Sequence, residues 1–170
     1  MTAPLRPTSE ATFPAVANAD TCVLILGNLP GEESRRRAEY YAHPRNQFWK
    51  LMEAVIEVKL VGTPYSERLN TLLTAGVGLW NVSRLTRRVG SLDADILDHT
   101  PNDLGVFAAT LPSLRALTFN GAKPFAVGRK QLGHASAYPL VALPSSSSAY
   151  CSLSFERKQS EWKRLRAFLN

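Results

Sequence analysis

Residues 22 to 31 read CVLILGNLPG, a short apolar run that ends in a turn rich in glycine and proline. The run from Cys22 to Leu26 is continuously apolar rather than alternating, which is typical of a strand covered on both faces. Three further runs have the same character: Val77 to Trp80, Ala116 to Phe119, and Leu140 to Leu143. Together the four runs predict the strands of a parallel sheet.

Helical patterns lie between these runs. Two of them place apolar residues on one helix face, at Phe48, Leu51, Met52 and Val55, and at Leu104, Phe107, Ala108 and Leu111. The second pattern has a start signal, with Thr100 as the predicted N-cap, Pro101 in the first turn and Asp103 three residues on. A last helix is predicted to carry one apolar face, made by Phe155, Trp162, Leu165 and Leu169. Its basic residues are expected elsewhere on that helix, at Arg157, Lys158, Lys163 and Arg164. Strands that alternate with helices predict an α/β fold with helices on both faces of the sheet.

Length and composition indicate one globular domain. The chain has 170 residues, of which 45% are hydrophobic and 20% charged. The segment 1–20 is rich in Ala, Pro and Thr and predicts a mobile N-terminal arm, so the folded domain is expected over 21–170. No apolar run approaches the ~20 residues of a membrane span, and no signal peptide is recognisable. We therefore expect a cytoplasmic protein.

The sequence offers no pattern for a metal site. Cys22 and Cys151 lie far apart and match no metal-binding spacing. His43 precedes a proline and has no second histidine or carboxylate at ligand spacing. We expect neither a metal nor an organic cofactor.

The charge balance points to a polyanionic partner. Twenty Lys and Arg against fourteen Asp and Glu give a net charge of +6 and a pI near 9.6. Such a surplus favours nucleic acid as the partner. Arg35 to Arg37 and the basic residues of the final helix are candidates for this contact, although solvated faces would look the same.

Polar loops follow all four predicted strands. They are Gly27 to Gly31, Asn81 to Arg84, Asn120 to Lys123, and Pro144 to Ser148. In an open parallel sheet the ligand crevice lies beyond the carboxyl ends of the strands, so these loops should converge. The segment EYYAHPRN, residues 39 to 46, lies between the first strand and its helix and borders the same crevice.

Each of these segments also has an ordinary structural interpretation. GNLPG can be a plain tight turn or a loop that binds phosphate through backbone N–H groups, and the serine run can be a linker or a phosphate contact. Tyr40 and Tyr41 can simply pack beneath a loop, and Asn46 can be the N-cap of the helix that starts near Phe48. Asn81 and Asn120 can be turn residues. Three asparagines and an aromatic loop around one crevice favour a ligand site.

These residues carry a resemblance. LILGNLPG followed by YYAHPRNQFW resembles the first signature of the uracil-DNA glycosylase superfamily, in the form of the hypoxanthine-DNA glycosylase (DNA-deoxyinosine glycosylase) family. GLWNV, GSLDADI, PNDL, FNG and LPSSSSA are similar to the family's later blocks in the same order, and the likeness covers roughly residues 21 to 168. It implies a three-layer α/β/α fold with a four-stranded parallel sheet, which agrees with the pattern of runs. It also implies a monofunctional DNA glycosylase of base excision repair, without a cofactor, and we expect a monomer.

The resemblance also implies roles for single residues. Asn46 matches the catalytic asparagine, expected to orient the attacking water, and Asn120 matches a second active-site amide. Tyr41 matches an aromatic that stacks on the extruded base. Further contacts to the base are expected from Gly27, Asn28, Leu29 and Asn81. Contacts to the DNA backbone are expected from Arg45, Lys123, Ser145, Ser146, Ser147 and Ser148.

Three positions depart from the superfamily pattern. Leu29 stands where uracil- and thymine-removing relatives have Asp or Asn, which favours the hypoxanthine group. Ser148 replaces a common proline, and Asn81 replaces a frequent Asp.

The expected reaction begins with flipping the base out of the duplex, because a stacked base cannot be reached. An amide is no strong base, so the predicted cleavage is dissociative. Two other interpretations stay open: a uracil or mismatched-thymine glycosylase on the same fold, and a non-catalytic nucleic-acid- or nucleotide-binding domain. Catalysis predicts a closed pocket around Tyr41, Asn46 and Asn120, whereas a binding module predicts an open basic groove.

Overall fold

The computed structural model describes residues 13–87 and 97–169, and within them strands and helices alternate. In chain order the elements are β1 (Val23–Gly27), α1 (Glu32–Arg37), α2 (Phe48–Ile56), α3 (Tyr65–Thr74), β2 (Val77–Asn81), β3 (Ser83–Arg87), β4 (Leu97–Pro101), α4 (Leu104–Ala109), β5 (Ala116–Asn120), α5 (Ala122–Leu132), β6 (Leu140–Leu143) and α6 (Phe155–Trp162). Short 3₁₀ helices cover Gly133–Ala135 and Lys163–Phe168.

A four-stranded parallel sheet forms the centre of the molecule. Its order is β2-β1-β5-β6, and every neighbouring pair is parallel. The four predicted strands are confirmed to within one residue at each end. As the continuously apolar runs predicted, β1 and β5 are buried throughout and β2 almost throughout, whereas β6 at the edge of the sheet has one buried residue, Leu143. The predicted three-layer α/β/α architecture is likewise confirmed.

Alternate residues of β1 face opposite layers. Val23 and Ile25 belong to a core that includes Phe48 of α2 and Trp162 of α6. Leu24 and Leu26 belong to a second core, which contains Leu104 and Ala108 of α4 together with residues of β5. This period of two divides the apolar side chains between the two faces of the sheet.

The packing of α5 on β5 depends on Gly128. A Cβ atom at that position would lie 2.1 Å from Cε1 of Phe119, whose ring is fully buried. The close approach sets the position of α5, whose first turn follows directly from the loop after β5.

Two features between the second and third sheet strands differ from the expectations. β3 and β4 pair as an antiparallel hairpin that the apolar runs did not predict. Thr100 and Pro101 belong to β4, so Thr100 is not the N-cap of α4. The cap is Asp103, whose side chain accepts a hydrogen bond from the Val106 N–H at 3.0 Å. The predicted block GSLDADI lies wholly within residues 88–96, outside the described residues.

The described part of the predicted N-terminal arm packs against the domain. Val16 pairs with Leu79 through two backbone hydrogen bonds of 2.8 Å. Phe13 meets the Tyr40 ring edge-on, and the Tyr40 hydroxyl donates to the Pro14 carbonyl at 2.9 Å. The packed chain therefore begins before residue 21. Residues 1–12 lie outside the described residues.

The final helix differs from expectation at one basic residue. Lys158 was expected away from the apolar face, but its side chain is only 1% exposed. It lies three residues after Phe155 and four before Trp162, which is the spacing of one helix face. The prediction for Lys158 was therefore wrong.

Candidate active site

A cavity of about 440 Å³ opens at the carboxyl end of β1. Six of the predicted site residues line it: Gly27, Asn28, Leu29, Tyr41, Asn46 and Asn81. We call this the first cavity. Its volume lies within the ~300–1,000 Å³ that is usual for small-molecule sites.

Residues 39–47, the aromatic loop, are held by hydrogen bonds to two neighbouring helices and by one hydrogen bond within the loop. The Ala42 N–H donates to Ser34 Oγ at 3.1 Å, and Trp49 Nε1 donates to the Tyr41 carbonyl at 3.1 Å. The Asn46 N–H donates to the His43 carbonyl at 2.9 Å, which closes a tight turn. The aromatic loop is thus tied both to α1 and to α2.

Tyr41 is the most constrained residue of this loop. Its φ is +53°, a left-handed conformation that non-glycine residues seldom adopt. Its ring stacks on Phe48 with centroids 3.9 Å apart, so one ring face is already covered. Only the remaining surface, which borders the first cavity, is available to a base.

The hydroxyl of Tyr41 is buried and has no hydrogen-bond partner of good geometry in the described structure. Burial raises the pKa of this phenol to about 12, and the nearby Asn120 amide opposes the rise. A Cβ on Gly27 would lie 3.0 Å from this oxygen and 3.0 Å from the Asn81 amide. Glycine at position 27 therefore leaves room for both side chains.

Asn46 presents its amide to the first cavity in one orientation. Its Oδ1 accepts from the Phe48 N–H at 2.9 Å and from Ser146 Oγ at 2.8 Å. Its Nδ2 has no partner within residues 13–87 and 97–169. The helix N-cap is Gln47, so Asn46 caps from one position earlier while its NH₂ group stays free.

Asn120, at the end of β5, is committed to Ser146. Its Nδ2 donates to Ser146 Oγ, and its Oδ1 accepts from the Ser146 N–H, both at 2.8 Å. Asn120 is 8% exposed and Ser146 only 1%. Ser146 therefore stands between Asn120 and Asn46.

Asn81, at the end of β2, lines the first cavity, and its amide is hydrogen-bonded within the protein. Its hydrogen-bonding surroundings place Nδ2 toward the carbonyl of Asn28 at 2.8 Å and that of Trp80 at 3.3 Å. Its own carbonyl accepts from Asn102 Nδ2 at 2.8 Å. Asn81 thereby ties the loop after β1 to the end of β2.

A second cavity, of about 720 Å³, lies on the other side of Asn28. Asn120, Lys123, Ser145, Ser147 and Tyr150 are among its lining residues, and much of its remaining wall is apolar. Tyr41 and Asn46 do not border it. The three residues expected around one pocket thus divide between two cavities, because the Asn120 amide turns toward Ser146.

The residues expected to contact the DNA backbone are placed differently from one another. Arg45, Lys123 and Ser148 are exposed, and Ser145 and Ser147 line the second cavity. Ser146 faces inward, so a phosphate contact there would require its two side-chain bonds to be given up.

Residues 144–150, the serine loop, are an ordered turn. Ser145 Oγ accepts from the Ser147 N–H, and Ser147 Oγ accepts from the Ala149 N–H, each at 3.2 Å. Its backbone also receives the Gln47 N–H at the Ser146 carbonyl, at 2.9 Å. The serine loop is therefore fastened to the aromatic loop rather than acting as a flexible linker.

Lys158 is the site-adjacent residue that the sequence interpretation missed. Its Nζ donates to Gln47 Oε1 at 2.9 Å and to the Ser147 carbonyl at 3.1 Å, and it lies 5.3 Å from the Tyr150 ring centroid. Burial lowers the pKa of this ammonium. Its position on the apolar face of α6 was the signal that could have found it.

The arginine run on α1 is partly neutralised. Glu33 pairs with Arg36 and Arg37, and these cations hold the pKa of its carboxyl below the usual range. Glu32, Glu33 and Arg36 also border the first cavity, so its rim carries both signs of charge. This mixed rim does not resemble a uniformly basic groove.

Neither a metal-binding cluster nor a membrane-spanning helix is present among the described residues. In residues 13–87 and 97–169, no group of three or more His, Cys, Asp or Glu side chains is placed to hold a metal ion. In this same part of the chain, none of the helices has the length and apolar character needed to cross a bilayer.

The site and fold have known counterparts. The family model described as the uracil DNA glycosylase superfamily matches residues 14–168. A protein from Methanosarcina acetivorans named hypoxanthine DNA glycosylase is 39% identical over 151 residues, which cover 89% of this chain and 94% of the relative. A protein of the same name from Methanosarcina barkeri is 39% identical over 111 residues, covering 65% of this chain and 70% of the relative.

A solved structure is similar as well. The solution NMR structure of a proposed uracil DNA glycosylase from Methanosarcina acetivorans superimposes with a TM-score of 0.77 at 37% identity. The match covers 94% of this chain and 98% of that chain. The likeness thus extends over nearly the whole of both chains.

Proposed function

This chain belongs to the uracil DNA glycosylase superfamily, and from that membership we propose that it is a DNA glycosylase that excises hypoxanthine from DNA in base excision repair. Hypoxanthine is the base named for both sequence relatives at 39% identity. Leu29 in the loop after β1 supports this choice over uracil or thymine, whose enzymes carry Asp or Asn there.

One observation carries the proposal. The first cavity joins an aromatic ring, Tyr41, and an amide with an unused donor, Asn46, at the carboxyl edge of the parallel sheet. A flat, hydrogen-bonding ligand suits such a combination of ring and amide. A flipped purine is a ligand of this kind.

The reaction we propose requires little acid–base chemistry from the protein. Flipping the nucleotide costs a few kcal/mol, and stacking on an aromatic surface is worth about 1–3 kcal/mol. The bond from sugar to base then stretches until an oxocarbenium-like sugar forms, and water captures it. Asn46 acts at the reacting centre, while an abasic site and a free base are the products.

Contacts to the phosphate backbone are proposed for the exposed cations near the cavities. Arg45 lies on the aromatic loop, and Lys123 lies in the first turn of α5 beside the second cavity. Ser145 and Ser147 line the second cavity, and together with Ser148 they would add hydroxyl and backbone donors. Together they position the duplex while the first cavity receives the base.

The decisive experiment is a panel of labelled duplexes that carry inosine, uracil, xanthine or a G·T mismatch. We expect alkali-sensitive strand breaks on the inosine duplex, with weaker or no cleavage of the uracil duplex. Uracil release with inosine untouched would favour the uracil-removing alternative. Binding without cleavage of any duplex would favour a non-catalytic DNA-binding domain.

We further propose that the enzyme works as a monomer in the cytoplasm. A cellular DNA substrate supports this location. Size-exclusion chromatography with light scattering tests the monomer, with a mass near 18.7 kDa expected.

A further inference from the structure

Ser146 links the two asparagines that were expected to act side by side. Its Oγ lies 2.8 Å from Asn120 Nδ2 and 2.8 Å from Asn46 Oδ1. Asn46 and Ser146 are 100 residues apart in the chain, and the serine is 1% exposed. A phosphate contact would require this hydroxyl to give up both bonds, and the proposed function assigns it no other role.

The direction of each hydrogen bond follows from two backbone N–H groups, which can only donate. The Phe48 N–H points at the Asn46 amide, so the atom facing it must be Oδ1. The Ser146 N–H points at the Asn120 amide, so the atom facing it is also Oδ1. Neither amide can be reversed without placing a donor against a donor.

The remaining bonds then have one direction only. Asn120 Nδ2 donates to Ser146 Oγ, so the single hydroxyl proton of Ser146 is donated to Asn46 Oδ1. Both acceptor positions of Asn46 Oδ1 are occupied, by Phe48 and by Ser146. What Asn46 offers to the first cavity is the NH₂ group, a donor.

We propose that Ser146 is a positioning residue that holds the Asn46 NH₂ toward the first cavity, and that Asn120 influences the reaction through Ser146. The inference deepens the proposed glycosylase function and rests on it. A donor in this position suits a carbonyl oxygen of the leaving base, which gains negative charge as the glycosidic bond breaks. It suits an attacking water less well, because a bond donated to the water oxygen withdraws electron density from the nucleophile.

The direction of the Asn46 amide is tested at Asn46 itself. Asn46→Asp keeps an oxygen for Phe48 and Ser146 but replaces the free NH₂ by an anionic acceptor. If the NH₂ donates to the base, single-turnover release from inosine DNA should be slower in Asn46→Asp than in Asn46→Ala. A faster Asn46→Asp would mean that the residue activates water, and it would overturn this part of the proposal.

The role of Ser146 is tested by a double-mutant cycle with Asn120. Ser146→Ala should lower the single-turnover rate about 10- to 100-fold, since small displacements of a reacting group have effects of this size. DNA affinity should stay within about threefold, because phosphate contacts dominate it. Adding Asn120→Ala should lower the rate no further than the slower single variant does. Effects that multiply would show that Asn120 acts independently of Ser146.

Two controls keep the result interpretable. Ser160→Ala removes a hydroxyl from the exposed side of α6 and should leave the rate unchanged. Ser146→Cys keeps the size of the side chain and a weak donor, so its rate should fall between those of the wild type and Ser146→Ala. A Ser146→Cys variant no faster than a folded Ser146→Ala would contradict the hydrogen-bonding role.

A substrate-free measurement separates this proposal from the proposed function. The Asn46 side-chain signals in a ¹⁵N–¹H correlation spectrum should shift in Ser146→Ala and in Asn120→Ala, but not in Ser160→Ala. If the wild type released no hypoxanthine, the proposed function would fail while these shifts still reported on the positioning role. Unchanged Asn46 signals in Asn120→Ala would overturn the link through Ser146, whatever the activity.

Discussion

The two cavities at the carboxyl edge of the sheet share Asn28 but differ in what they offer a ligand. The first cavity is bordered by Tyr41, by the free NH₂ of Asn46 and by charged residues of α1. The second is larger and mostly apolar, and its amide, Asn120, is already hydrogen-bonded within the protein. An asparagine side chain thus keeps a free donor in one region and serves as a support in the other.

The difference shows why proximity alone does not assign a role. Asn46, Asn81 and Asn120 all lie near one edge, yet only Asn46 has a side-chain NH₂ group without any protein partner in the described structure. Asn81 and Asn120 use theirs to hold a loop or a serine. The number of hydrogen-bonding atoms without a protein partner distinguishes Asn46 from Asn81 and Asn120, which support their surroundings.

The strongest contrast between the cavities should appear in Asn46→Ala. Loss of one well-placed catalytic hydrogen bond lowers turnover by about 10²–10³-fold, so single-turnover release from inosine DNA should fall by that much. Its helix-capping bond is lost too, which costs about 0.5–2 kcal/mol of unfolding free energy. Asn70→Ala, on an exposed turn of α3, is the matched control and should leave the rate unchanged. A folded Asn46→Ala with normal turnover would remove the distinction between the cavities.

A second change narrows the first cavity and leaves the other alone. The Cβ of Gly27→Ala would lie 3.0 Å from both the Tyr41 hydroxyl and the Asn81 amide, each of which is held in place. We expect turnover to fall about 10-fold through displacement of these groups, with a loss of about 1 kcal/mol in unfolding free energy. Gly105→Ala, whose Cβ would have an ordinary contact at 3.6 Å, serves as control. Full activity in Gly27→Ala would indicate that a base does not approach Tyr41.

The second cavity should report on DNA affinity rather than on chemistry. Lys123→Ala should weaken DNA binding by a few-fold and lower the slope of log affinity against log salt by about 1. Lys59→Ala removes the same charge from the segment between α2 and α3, outside the lining of the second cavity, and should leave the slope unchanged. Lys158→Met should also leave it unchanged, because that ammonium is buried against protein acceptors. Equal slopes for Lys123→Ala and Lys59→Ala would argue against a phosphate contact beside the second cavity.

The smallest effect concerns the Tyr41 hydroxyl and appears only in alkali. Its pKa is raised from 10 to about 12 in the folded protein, so folding favours the neutral phenol. This contribution is complete below pH 10 and is lost as the pH rises toward 12, by about 1 kcal/mol at pH 10.5. Tyr41→Phe removes this dependence, and its melting temperature should therefore decline less between pH 9 and pH 10.5 than that of the wild type. Parallel declines would mean that the phenol is not held neutral beside Gly27.

The sheet was predictable because each of its strands contains a continuous apolar run, and the site's location was predictable because parallel strands end at one edge. The hairpin β3–β4 escaped prediction because neither of its strands is a continuous apolar run. The N-cap of α4 was misplaced at Thr100 because Thr100-Pro101 and Asp103 both fit the local start rules. Only the tertiary pairing of β4 decides between them.

The residues of the site could be named from the sequence, but the contacts that determine their individual roles could not be predicted. Asn46, Tyr41 and the loop after β1 could be named from the family resemblance, and they do meet in one cavity. The bonds of Ser146 to Asn120 and Asn46 join positions 26 and 100 residues apart, and no local pattern encodes them. The helical spacing of Lys158 predicts burial, but its charge led to the prediction that it lies away from the apolar face.

Because the aromatic loop and the serine loop are hydrogen-bonded to each other, the aromatic loop can reach its final arrangement only late in synthesis. Asn46 is held by Ser146, and its neighbour Gln47 is held by Lys158 across 111 residues of chain. When β1, α2 and β2 have emerged from the ribosome, the nascent chain still lacks both Ser146 and Lys158. Ser146 lies at about six-sevenths of the length of the chain, so in a shorter nascent chain the Phe48 N–H alone remains to hold the Asn46 amide.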